Sequence, residues 1–307
     1  GFYSLESDRG CWTEDKSVSP NCCCALRVAV VGNRLFVCRA VSTDTAVPHI
    51  RFTGDRVLPL GLASGFGIGK PSHAYTHGGS RDNQETSLGI YNGKKTTIAK
   101  FPFMVSVLVK NVHFGSGVIL NTHWILTTGF NVNWYPLKDL SFRVGSTNCE
   151  KGGQLFTADK VLANENYTGS WDYDIAVVKL NKPIKFSKYV KPIKLGTASL
   201  KPTTKVVIAG WGPESKSEIQ SMTLLTAKVT VYAQNQCERT YSSDLTPRLM
   251  CTYDTNVGPC ASDFGDPLVY KNAVYGLYAG AYNCLSDPAV YVNVPILVDW
   301  VKSVIKE

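Results

Sequence analysis

The sequence predicts an all-β protein that ends in a single helix and carries a small cysteine-rich module ahead of its main body. Three observations lead there: short motifs standing in a fixed order through residues 90–307, a helical period confined to the last dozen residues, and a change of composition near residue 89. Residues 1–89 hold nine basic and eight acidic side chains, the bases mostly arginine, whereas 90–307 hold 23 and 16 with lysine dominant. At 307 residues and 44% hydrophobic, the chain has material for one large globular domain with an appendage. No apolar run approaches the roughly 18–20 residues that span a bilayer, so no transmembrane segment is expected. The chain opens on Gly1, with no Met and no leader, as expected of a mature secreted, extracellular protein.

Residues 1–41 read as a small disulfide module with five cysteines, Cys11, Cys22, Cys23, Cys24 and Cys38. Within it, Val28–Val31 and Leu35–Val37 flank Gly32-Asn33, a pair suited to a tight hairpin turn. So small a unit has little core and depends on its bridges. Residues 42–89 are rich in Gly, Ser, Thr and Pro and are expected to form a linker. Gly65-Phe66-Gly67-Ile68-Gly69-Lys70 lacks the Ser/Thr after lysine that a phosphate loop needs, and no helix pattern follows it. At the other end, Ile296, Leu297, Trp300, Val301 and Val304 recur at helical spacing.

Three segments between these ends carry a family resemblance. Cys260-Ala261-Ser262-Asp263-Phe264-Gly265-Asp266-Pro267 resembles Cys-x-Gly-Asp-Ser-Gly-Gly-Pro of the chymotrypsin/trypsin-like serine proteases. Trp124-Ile125-Leu126-Thr127-Thr128-Gly129-Phe130-Asn131 resembles Trp-Val-Leu-Thr-Ala-Ala-His-Cys, and Asp174-Ile175-Ala176 resembles the Asp-Ile-Ala of the third catalytic segment. Ile208-Ala209-Gly210-Trp211-Gly212 and Asn293-Val294-Pro295 extend the likeness over nearly all of residues 90–307. The resemblance implies two antiparallel six-stranded β-barrels with a carboxy-terminal helix.

It also implies that catalysis is lost. Phe130 stands where the family has its general base and Phe264 where it has its nucleophile, while Asp174 matches the triad aspartate. Both cysteines flanking the histidine loop are replaced together, by Gly115 and Asn131. Ser262 replaces an oxyanion-hole glycine and is expected to disfavour its backbone conformation, and Asp266 is expected to add negative charge there. Gly258, Gly280 and Ala289 alter the specificity pocket.

Gly89-Ile90-Tyr91 aligns with the activation site but lacks the basic residue at which cleavage ordinarily occurs. Asp263, Ser106 and His113 match the group that holds the aspartate before activation, and a zymogen-like lock with Asp263 bonded to His113 and Ser106 is expected. The resemblance further pairs Cys237 with Cys251 and Cys260 with Cys284. Full oxidation of ten cysteines then requires a bridge from Cys149 to one of Cys11, Cys22, Cys23, Cys24 and Cys38, by spacing alone any of them. The amino-terminal module loosely resembles the clip modules of arthropod serine protease homologues, although the triple cysteine departs from their adjacent pair.

Two surface features complete the inventory. Asn166-Tyr167-Thr168 is a glycosylation sequon. Lys179, Lys182, Lys185, Lys188, Lys191 and Lys194 recur every third residue, a candidate polyanion-binding face. None of the five histidines sits beside a plausible nucleophile, and no metal or cofactor fingerprint is present. The resemblance therefore implies a secreted, non-catalytic serine protease homologue. It would bind extracellular proteins (a protease, zymogen or receptor) as a regulator or cofactor of a proteolytic cascade of innate immunity. The alternative is adhesion or recognition through the lysine face, on heparin-like or microbial surface polymers. No nucleic acid is implied.

Overall fold

The computed structural model describes residues 27–31, 34–38, 90–212, 221–260 and 262–306. In the amino-terminal part, β1 (Arg27–Val31) and β2 (Arg34–Cys38) pair antiparallel with Val28 opposite Val37, the hairpin predicted around Gly32-Asn33. Cys11, Cys22, Cys23 and Cys24, the 42–89 linker and its glycine-rich Gly65–Lys70 stretch lie outside the described residues.

The main body opens with a two-residue strand, β3 (Lys94–Lys95). Six strands follow: β4 (Met104–Val109), β5 (Val112–Ile119), β6 (Trp124–Thr127), β7 (Leu140–Val144), β8 (Gln154–Ala163) and β9 (Ala176–Leu180). They close into a barrel in the order β4-β5-β6-β9-β8-β7. Its interior is filled by Val105, Val107, Ile119, Ile125, Phe142, Phe156 and Val178, bulky apolar side chains as a small barrel requires.

The second barrel uses β11 (Lys205–Gly210), β12 (Leu225–Tyr232), β13 (Leu249–Thr252), β14 (Pro267–Tyr270), β15 (Ala273–Gly280) and β16 (Ala289–Asn293). The path β15-β14-β11-β12-β13-β16 returns on itself because β16 also pairs with β15. The short β10 (Lys194–Leu195) adds to β15 in parallel, and β3 adds to β12. A shared layer, including Met104, Val118, Leu126, Trp211, Leu277 and Val292, joins the two barrels. The predicted architecture of two six-stranded barrels is therefore present.

Among the described residues the α-helices are α1 (Gly129–Val132), α2 (Gln234–Tyr241) and α3 (Val294–Val304). Pro295 suits the first turn of α3, where its missing N–H has no intrahelical partner to lose. Leu297 and Val301 bury into the shared layer, but Ile296 is 46% exposed and Val298 is buried in its stead. Trp300 and Val304 pack against the same layer, so Ile296 alone of the expected set faces solvent. Cys237 on α2 is bonded to Cys251 on β13, and Cys260 to Cys284. Cys149 is buried, its sulfur 3.7 Å from the Ser221 carbonyl and from Met222 Sδ. Its expected partners are not described at side-chain level. Among the described residues no helix is long and apolar enough to cross a membrane.

Candidate functional site

Three loops converge between the barrels. The turn after β6 carries Phe130, the approach to β9 carries Asp174, and the approach to β14 carries Phe264. The Phe130 and Phe264 rings are 4.7 Å apart between centroids and inclined by 49°. Phe114 on β5 stacks on Phe130 at 5.7 Å, and Tyr135 meets Phe114 edge-on at 5.3 Å. On the other side Phe264 stacks on Tyr278 at 5.8 Å, and Tyr278 meets Tyr291 at 5.6 Å. Six rings therefore run unbroken from the first barrel to the second. Each such pair adds about 0.5–1.5 kcal/mol beyond the area it buries. The residues beyond Phe130 and Phe264 in this run gave no sequence signal, because a single aromatic in a strand reads only as core.

Asp174 is buried, and its Oδ1 accepts the Phe130 N–H at 2.7 Å. Burial pushes its carboxyl up to about 7, against the opposing hydrogen bonds from the Phe130 backbone, Tyr167 and the Gly129 backbone. Gly129 leaves room for Tyr167: a Cβ there would lie 2.8 Å from the Tyr167 ring and 3.2 Å from Asp174 Oδ1. The carboxylate thus binds backbone and a tyrosine where the resemblance places an imidazole.

Asn131 occupies the place of the missing cystine. Its Nδ2 donates to the Phe264 carbonyl at 2.8 Å, to the Ser116 carbonyl at 3.1 Å and to Thr127 Oγ1 at 3.1 Å. One amide on α1 thus holds β5, the end of β6 and the loop carrying Phe264.

The residues at the pocket positions line only a small recess. The recess lined by Gly258, Ala281 and Ala289 encloses about 10 Å³, room for one water at most. A Cβ on Gly280 would lie 2.6 Å from Trp171 Nε1, so the Trp171 indole fills the space over this glycine. Trp171 packs edge-on against Tyr241 at 5.3 Å and against Tyr282 at 5.4 Å.

A sequence profile described as Trypsin matches residues 90–301. The chain belongs to the trypsin family. Trypsin 5G1 of Aedes aegypti is 32% identical over 225 residues, covering 70% of this chain and 84% of that protein. Trypsin theta of Drosophila melanogaster is 29% identical over 223 residues, covering 69% and 84%. Among solved structures, the scabies mite inactivated protease paralogue S-D1 superposes with a TM-score of 0.64 at 26% identity, covering 70% of this chain and 96% of that one. Neuropsin, a serine protease of mouse brain, superposes with a TM-score of 0.65 at 24% identity, over 70% and 99%, a likeness of fold.

The expected zymogen-like lock is not formed. Asp263 does not bond His113 or Ser106. Its Oδ1 accepts the Gly212 N–H at 2.8 Å and its Oδ2 the Cys260 N–H at 2.9 Å, so two backbone donors engage both oxygens. Ser106 Oγ and His113 Nδ1 bond each other at 2.8 Å instead. Burial holds His113 neutral, lowering its pKa to about 3 against a partial offset from the Ser262 backbone. Ile90 is fully buried in the core of the second barrel beside Val206, Ile208 and Leu225.

Two expectations about the oxyanion region also change. Ser262 does adopt a left-handed conformation, φ +67°, at a cost of roughly 1–2 kcal/mol for a residue with a Cβ. Asp266, expected to add negative charge there, is fully buried. Burial, then the neighbouring Asp263 carboxylate, raise its pKa well above the usual range. Two backbone N–H groups serve Asp263, whereas the Asp266 carboxyl oxygens have no hydrogen-bond partner among the described residues, so the upward shift falls mainly on Asp266.

The remaining predicted sites lie on the surface. Asn166 and Thr168 of the sequon are exposed. Lys182, Lys185, Lys188, Lys191 and Lys194 are all exposed, with Ile184, Val190 and Ile193 between them turned into the core. They do not share one recess: Lys182 and Lys185 line one with Phe156, while Lys194 lines another with Lys302.

Proposed function

We propose that this trypsin-family chain is non-catalytic and acts by binding an extracellular protein, regulating a proteolytic cascade as a cofactor or competitor of active family members. The observation that carries the reading is the 4.7 Å contact of Phe130 with Phe264 at the positions matched to general base and nucleophile. A phenyl ring neither accepts a proton nor attacks a carbonyl, so neither half of acyl transfer has an agent. Asp174 supports this reading, since its oxygen is committed to the Phe130 backbone. So does the recess beside Gly258, too small at about 10 Å³ for a substrate side chain. The likeness to a structure titled an inactivated protease paralogue agrees with it. What persists is a rigid two-barrel scaffold with surface loops, the part of the fold that recognises proteins.

The regulatory role is tested by adding purified chain to extracellular fluid in which a trypsin-family zymogen is being activated. The expected result is a dose-dependent change in the rate at which the active protease forms. An unchanged rate at saturating chain would overturn the role.

A further inference from the structure

We infer that the recess between the start of β8 and the 182–187 loop is a docking groove for an acidic peptide segment of a partner protein, one carrying apolar side chains among its carboxylates. The recess has a volume of about 510 Å³ and is lined by Gln154, Leu155, Phe156, Lys182, Lys185 and Phe186, among others. This gives the binding role proposed above a partner chemistry. It shares no residue with the aromatic cleft, so failure of either proposal leaves the other standing.

The groove is preformed. Gln154 Nε2 donates to the Lys185 carbonyl at 2.8 Å, and the Lys185 N–H donates to Gln154 Oε1 at 3.2 Å, tying loop to strand. Ile184 is buried and pins the loop from below. A preformed groove spares the partner the cost of ordering this side of the interface.

Its lining is amphipathic. Leu155 is 41% exposed, Phe186 45% and the nearby Tyr189 42%, a concentration of large apolar side chains on one loop and the strand it packs against. Grouped apolar exposure rimmed by polar side chains is a mark of interaction sites. The rim is cationic: Lys182 places its ammonium 5.5 Å over the Phe156 ring. Among the described residues no carboxylate lies within ion-pair distance of Lys182 or Lys185. From Ile175 to Pro213 the chain has eight lysines and no acidic residue. An uncompensated cationic rim around an apolar floor complements carboxylates alternating with apolar side chains.

Two other occupants fit less well. A linear polyanion needs an unbroken row of cations, and the lysine repeat is divided between two recesses. A bilayer presents a plane, whereas here the apolar groups line a concavity.

The test is fluorescence anisotropy on the full chain with a fluorescein-labelled dodecapeptide in which Glu alternates with Phe and Leu. The expected result is saturable, salt-sensitive binding. Lys182→Glu with Lys185→Glu weakens it about tenfold or more, and Phe186→Ser weakens it several-fold. Lys194→Glu with Lys302→Glu, in a separate recess, leaves it unchanged. Circular dichroism of each variant verifies that it is folded. The proposal is overturned if a Glu-Gly peptide of equal charge binds as tightly, or if the groove variants bind like the parent. It is equally overturned if only heparin or phosphatidylserine-containing vesicles bind and the peptide does not.

Discussion

Gly115 and Asn131 are complementary in size: a Cβ on Gly115 would lie 2.4 Å from Asn131 Oδ1. One position has lost its side chain entirely, and the other has gained an amide that fills the vacated space and bonds three acceptors. The pair replaces a covalent clamp between the β5 and α1 regions with a hydrogen-bonded plug that also reaches the Phe264 loop.

Filling that space from the wrong side is expected to be costly. Gly115→Ala forces its methyl against the amide and should lower stability by about 1–3 kcal/mol. Asn131→Ala removes one of two donors from each of the Ser116 and Phe264 carbonyls, which keep Thr127 Oγ1 and the Ser116 N–H, and should cost about 1–2 kcal/mol. Urea midpoints at constant slope measure both.

Placing a histidine and a serine at the two phenylalanine positions should not create a protease. Phe130→His with Phe264→Ser supplies a base and a nucleophile, but Asp174 still bonds backbone and the recess beside Gly258 still holds about 10 Å³. The double variant is expected to stay at least about 10³-fold below an active family member in kcat/KM, since positioning and substrate binding carry much of the rate. Hydrolysis of lysyl and arginyl anilides measures it. A rate within tenfold of a trypsin would mean the pocket opens on demand.

Stability should depend on pH through Asp174. Its carboxyl is raised from 3.8 to about 7 by burial, so the native state keeps a proton that the unfolded chain loses. Its stabilising contribution is whole below about pH 4 and is lost as pH rises to about 7. Asp263, raised to about 6, and Asp266 act with the same sign. His113, lowered to about 3, acts oppositely, favouring the native state as pH rises from about 3 to 6.5. Asp174→Asn isolates one group: its amide oxygen still accepts the Phe130 N–H. The variant should match the parent near pH 4 and exceed it by on the order of 3 kcal/mol at pH 8. A constant difference across that range would contradict the assignment.

The barrels were legible because their signals are local and ordered. Trp124–Asn131, Asp174–Ala176 and Cys260–Pro267 each fix a segment, and their sequence order fixes the topology. The site was legible only at positions where the residue type departs from the family motif, Phe130 and Phe264 above all. What filled those positions was not, because it depends on pairs distant in sequence: Trp171 over Gly280, Tyr278 behind Phe264, Asn131 against Gly115. The misplaced lock has the same origin. Residue types named Asp263, His113 and Ser106 as a set, but the carboxylate's direction is decided by the Gly212 and Cys260 N–H groups, which any residue would supply. Likewise Asp266 reads as a negative charge near the oxyanion region until its burial is known.

The most direct measurement of the central claim is turnover by the purified full chain on a library of fluorogenic peptides, with a fluorophosphonate probe run in parallel. The account predicts no hydrolysis above buffer and no covalent labelling at any concentration of chain. Cleavage proportional to chain, abolished by Asp174→Asn, would contradict it.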